Sequence, residues 1–196
     1  MKKINFIKTF IPQGDFREKY EHGGMMVRHL AAVLDEKMGA YECYECTVPI
    51  GEYDEGEIQK AFVEFSAKMD ALKLKQAKAD KIAEITAYDT SSSVNGFMLN
   101  GLLVWLDKAT RVGLMNSTTI AKAAGQKTTT LWLGGIKLVV DCDKAIQLLS
   151  ALEMYALECF NVTASHKQAV SELTTIEEVE AYNYKAGYPK MLEMNV

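Results

Sequence analysis

The sequence predicts an α+β fold in three parts: a small N-terminal strand-helix-strand module, one long heptad-patterned helix, and a C-terminal module of two β-hairpin-helix units. Three observations carry this. YECYEC at 41–46 alternates side-chain character with the period of a strand. Ile58, Phe62, Phe65, Met69 and Leu72 recur at helical spacings of four, three, four and three. LNGLLVWLDKA at 99–109 aligns with LGGIKLVVDCDKA at 133–145, with two extra residues in the second copy. With 196 residues, 48 % of them hydrophobic, the chain has material for a buried core without staples.

The elements follow in order. Ile4, Phe6, Ile7, Phe10 and Ile11 form a β-prone run that ends at Pro12-Gln13-Gly14, which is turn chemistry. Met26, Leu30, Val33 and Leu34 then recur at helical spacing, with Gly39 placed to stop the pattern, so a helix is expected here. YECYECTVPI follows as a strand, broken at Pro49-Ile50-Gly51, and closes a module over 1–54.

From Glu55 the heptad seam runs through Leu72 and continues in weaker form through Gln76, Ala79 and Ala83. A helix over 55–86 would be about 48 Å long. Two readings of the seam stay open: an amphipathic helix lying on its own domain, or a helix that pairs with copies of itself. On the second reading, Ile58, Phe62, Phe65, Met69 and Leu72 are the self-association residues and the chain is a homo-oligomer. The polar, turn-rich stretch 87–94 reads as a linker and domain boundary.

In the C-terminal module, 95–196, Asn100-Gly101 and Gly134-Gly135 suit two-residue hairpin turns. Asp107, and Asp141 or Asp143, are placed to cap the helices that follow, over roughly 108–124 and 143–168. The second helix carries Ile146, Leu149, Leu152, Met154, Tyr155, Leu157, Cys159 and Phe160 around much of its circumference, which predicts burial against both hairpins. Thr175-Ile176-Glu177-Glu178 matches a capping box for a short last helix, and the tail is expected to be extended.

The chemistry is sparse. Cys43 and Cys46 are three apart, so on a strand they point to opposite faces and cannot hold one ion together. A metal-dependent enzyme or sensor would need a knuckle here, completed by His22 and His29. A redox Cys-x-x-Cys normally opens a helix, whereas here the preceding helical pattern has already ended. Ser91, Ser92 and Ser93 lie in the linker, and none of His22, His29 or His166 has an acylating sequence context. Gly23-Gly24 and Gly134-Gly135 lack the further residues of a phosphate loop. Trp105 and Trp132 occupy one hairpin each, as packing residues or as an exposed aromatic contact surface. A net charge of −4 with interspersed Lys and Arg argues against a nucleic-acid surface. No signal peptide and no segment able to span a membrane is visible, so a cytosolic location is expected.

Residues 76–185 resemble an uncharacterised domain of bacteriophage and prophage proteins. The similar elements run from AKADKIAEITAYDTS through GFMLNGLLVWLDKATRVGLMNSTTIAKAAGQKTTTLWLGGIKLVV to IQLLSALEMYALECFNVTASHKQAVSELTTIEEVEAY. The resemblance implies a protein associated with the tail or tail fibre, with other tail or fibre proteins as partners, present in the virion or helping to assemble it. It attaches no catalytic residue and no cofactor. The function expected is therefore non-enzymatic, structural or in assembly, with a small host-cell binding or regulatory protein as the alternative.

Overall fold

The computed structural model describes residues 4–11, 16–19, 24–35 and 40–196. Helices and strands both contribute, as an α+β fold requires. The chain divides into two compact units, Met1–Lys75 and Gln76–Val196. The division falls inside one helix rather than at 87–94.

Unit 1 contains an antiparallel sheet of four strands, β1 (Ile7–Ile11), β2 (Phe16–Lys19), β3 (Gly24–Asp35) and β4 (Ala40–Pro49), in the order β1-β4-β3-β2. The strand expected over YECYEC is β4. The helix expected from Met26, Leu30, Val33 and Leu34 is instead the strand β3. Its register against β4 shifts twice, between Leu30 and Ala32 and between Val33 and Asp35. Each bulge resets the alternation of faces, so the strand period is scrambled and the apolar residues fall by accident at helical spacings. Tertiary pairing decides the outcome, because β3 is hydrogen-bonded on both edges, by β4 and by β2. The Pro12-Gln13-Gly14 turn, His22 and Gly39 lie outside the described residues.

Helix α1 (Glu55–Asp89) opens with reciprocal caps: Glu57 N donates to Asp54 Oδ1 at 2.8 Å and Asp54 N to Glu57 Oε2 at 2.9 Å. One face of the sheet, with Phe6, Val27, Tyr44, Cys46 and Val48 buried, packs with Ile58 and against Phe62, Phe65 and Met69. Tyr44 meets Phe65 edge-on with centroids 5.1 Å apart, and Phe6 meets Phe62 at 5.8 Å. On the same strand, Glu42 is 5 % exposed and ion-paired to Lys8 at 2.7 Å and Lys73 at 2.8 Å. Burial pushes the Glu42 carboxyl up, but the two ammonium groups outweigh it and leave it below the usual value.

Unit 2 begins with the rest of α1. The stretch expected to be a linker is part of its core: Ser91 caps a short helix α2 (Ser92–Asn95), Asn95 Nδ2 donates to Asp89 O at 2.7 Å, and Val94 is 1 % exposed. Its polar side chains cap the backbone rather than solvate a tether. Two hairpins follow, β5 (Gly96–Leu99) with β6 (Leu102–Trp105), and β7 (Thr128–Leu133) with β8 (Ile136–Asp141). Both turns have positive φ at both central residues, +49° and +80° at Asn100-Gly101 and +58° and +88° at Gly134-Gly135. Helix α3 (Lys108–Ala123) is capped by Asp107 and α4 (Cys142–Glu172) by Asp141. The capping box at Thr175 opens α5 (Ile176–Ala181). The tail forms β9 (Leu192–Met194), parallel to β5, and Val196 N donates to Asn100 Oδ1 at 2.9 Å.

Along one stripe of α4, Tyr155, Cys159, Thr163 and His166 fasten the rest of the unit. Tyr155 OH donates to Val94 O at 2.7 Å and Cys159 Sγ to the same oxygen at 3.4 Å. Thr163 Oγ1 donates to Asp89 Oδ1 at 2.8 Å and is 2.8 Å from Tyr188 OH. His166 Nε2 lies 2.9 Å from Ala186 O and Nδ1 2.8 Å from Tyr182 OH. A carbonyl only accepts, so Nε2 carries the proton.

Glu42→Gln is expected to lower the stability of unit 1 by about 2 kcal/mol at neutral pH. Because the folded carboxyl is held low, its contribution is present above the ordinary carboxylate value and is lost as pH falls through the folded value. Denaturant melts across pH 3–7 should therefore show a shallower acid-side fall for the variant. In unit 2, a Cβ on Gly96 would lie 2.2 Å from Ser92 O, a backbone atom. Gly96→Ala should cost roughly 2 kcal/mol or more, whereas Gly113→Ala, in open space on α3, should gain about 0.5–1 kcal/mol. Paired thermal melts would check both directions.

Candidate interaction surfaces

The strand β4 decides the fate of YECYEC. Cys43 lies opposite Thr9 and Leu30, Cys46 opposite Val27, and the two sulfurs occupy opposite faces of the sheet. Both residues are buried, Cys43 at 0 % and Cys46 at 3 % exposure. The two thiols therefore cannot ligate one ion together. His29 falls in β3 and His22 outside the described residues. Among the described residues, no group of three or more His, Cys, Asp or Glu is arranged to hold a metal ion.

The other chemistry-bearing side chains are in structural positions. Ser91 Oγ accepts from Ser93 N at 3.2 Å, and Glu178 accepts from the backbone of Thr174 and Thr175. Those two N–H groups hold its carboxyl below the usual value. Burial pushes the Tyr155 phenol up to about 12 and raises the Cys159 thiol, so both stay protonated as donors. Arg111, 8 % exposed, joins α3 to α4 through Glu153 Oε1 at 2.9 Å and also donates to Leu106 O at 2.8 Å.

Unit 2 leaves large apolar side chains outside its core. The pairing Gly96↔Trp105 and Met98↔Leu103 puts Trp105 and Leu103 on the face of their hairpin opposite buried Phe97 and Val104. Likewise Trp132 and Val139 share the face opposite buried Leu131, Leu133 and Val140. Trp105 is 41 % and Trp132 58 % exposed. Each hairpin thus presents a tryptophan outward, and of the two sequence alternatives the exposed position is the one occupied.

A second apolar set lies on α4, where the sequence predicts burial. Met154, Leu157 and Phe160 are each at least half exposed. For Leu157 and Phe160 the reason is a length mismatch. Arg111 opposite Glu153 and Lys122 opposite Asp143 make α3 antiparallel to α4, so α3 begins near residue 156 of α4 and covers nothing beyond it. The difference between a helix of 16 residues and one of 31 is the signal of this that the sequence carries.

The heptad residues are placed differently. Ile58 is 1 % exposed, Phe62, Phe65 and Met69 pack on the sheet of unit 1, and Leu72 alone of the five is half exposed. The amphipathic reading of the seam fits this arrangement, since the aromatic positions are occupied within the unit. Phe62→Glu with Phe65→Glu is accordingly expected to unfold unit 1, with loss of the strand signal of its sheet. Hydrogen exchange resolved by segment should show protection lost over 40–49 and kept over 142–172.

The model of a domain of unknown function, DUF4376, matches residues 76–186. Its first residue is also the first of unit 2, while β9 lies beyond its last. No curated protein and no solved structure matches the chain. The family match covers more than half of the sequence and the whole of the hairpin-helix repeat, and the chain belongs to the DUF4376 family.

Proposed function

We propose that this chain is a non-enzymatic phage or prophage protein, associated with the tail or tail fibre, that acts in structure or assembly through protein contacts made by unit 2. The observation that carries the reading is the outward position of Trp105 and Trp132 on two hairpins whose opposite faces bury Phe97, Leu99 and Val104 in one and Leu131, Leu133 and Val140 in the other. Tryptophan supplies a disproportionate share of binding energy when a partner desolvates it, and exposed large apolar side chains in such numbers are a common mark of a contact surface. The phage setting is supported by the resemblance of residues 76–185 to phage and prophage proteins.

Quantitative mass spectrometry of purified particles beside the induced lysate tests the setting. A fixed ratio to tail proteins in the particle is expected for a structural component, and co-purification with tail intermediates in the lysate for an assembly factor. Absence from both would overturn the proposal and favour a host-cell binding protein. Trp105→Ala with Trp132→Ala tests the surface. Association should fall at least about tenfold, one lost anchor's worth, while the melting temperature changes little. Unchanged association would remove these faces from the interface.

A further inference from the structure

Beside its buried seam, α1 carries a charged flank in unit 1. At 3.6 residues per turn, Glu57, Lys60, Glu64 and Lys68 fall within a sector of roughly 80°, and all four are exposed. They rim a groove of about 770 Å³ whose apolar lining includes Ile4, Phe6, Tyr53 and Phe65. Leu72, 49 % exposed, lies on the same side of the helix as this flank, one turn beyond Lys68.

From Glu57 to Lys68 the charges alternate in sign, and that pattern is complementary to itself when reversed; Lys75, exposed in the same sector, follows as a second lysine beyond the alternating stretch. A parallel copy in register would set like charges against each other. An antiparallel copy, related by a two-fold axis near residues 62–63, sets Glu57 of one chain against Lys68 of the other and Lys60 against Glu64. The same register brings Leu72 of each chain to Tyr53 of the other, at the groove. Pairing within one helix accounts for charges at this spacing. It does not account for a half-exposed leucine placed where the reversed charge register meets an apolar-lined groove.

We propose that unit 1 forms a two-fold antiparallel dimer through this flank of α1, with Leu72 of each copy entering the groove of the other. The interface is the flank, and the seam of Ile58, Phe62, Phe65 and Met69 stays packed on its own sheet. The proposal is independent of the phage setting, since a host protein could associate in the same way.

Sedimentation of the full chain, from about 1 to about 100 µM so as to bracket a micromolar Kd, tests it with two charge variants. Lys60→Glu with Lys68→Glu makes the four alternating positions all acidic, and Glu57→Lys with Glu64→Lys makes them all basic. The parent should dimerise, each variant alone should sediment as a monomer with its Kd raised about a hundredfold or more, and an equimolar mixture should restore the dimer. Misfolding cannot produce that restoration. Glu57 also caps the start of α1, so Leu72→Glu provides a second disruption that spares the cap, and it too should be monomeric. A monomeric parent, a charge variant that dimerises alone, a mixture that stays monomeric, or a dimeric Leu72→Glu would each overturn the proposal.

Discussion

A backbone carbonyl buried at the end of a short helix destabilises the fold unless donors reach it, and Val94 O is reached twice, by Tyr155 and by Cys159 from α4. The rest of unit 2 is arranged around this attachment. It fixes α2, and therefore the start of β5, to the middle of the longest helix of the unit. One turn further along α4, Thr163 ties down the end of α1 through Asp89, and His166 ties down the segment that leads to β9. Hydrogen bonds of this kind specify geometry more than they add stability, because each replaces a bond to water. Their common stripe on α4 makes that helix the part against which the other elements are registered.

The features legible in the sequence are those set by local chemistry. Asn100-Gly101 and Gly134-Gly135 announce two hairpins because few residues accept positive φ at both turn positions. Asp107, Asp141 and the Thr175 box announce helix starts because a cap is a side chain meeting its own backbone. What escapes depends on neighbours distant in sequence. The bulges of β3 arise from pairing with β4, and they disguise a strand as a helix. Val94 is a core residue inside a polar stretch, and only the reach of α4 makes it so. Likewise, the apolar circumference of α4 is visible, but which arc lies bare depends on where α3 begins.

The surfaces follow the same division. Cys43, Cys46, Ser91 and Glu178 look like chemistry by residue type, and each has a structural position: opposite faces of a strand, a helix cap, a capping box. The two tryptophans look like core by residue type and stand outside it. Each stands on the face of its hairpin opposite the residues that are buried, so the alternation of the strand, and not residue type, decides which side chain enters the core. In unit 1 the ordering is reversed, for the seam that looks like a contact surface packs on its own sheet except at Leu72, and the flank beside it carries charges of alternating sign.

The strand β9 has a further consequence. It pairs with the edge of β5 that β6 leaves uncovered, in parallel, and it comes from residues beyond the family match. Without those residues β5 would present a row of unbonded N–H and C=O groups, the template onto which an extended segment of another chain adds itself. The tail thus occupies, within its own molecule, the place of an incoming peptide. The Asn100 side chain that receives Val196 N holds it there, at the same turn that makes the hairpin.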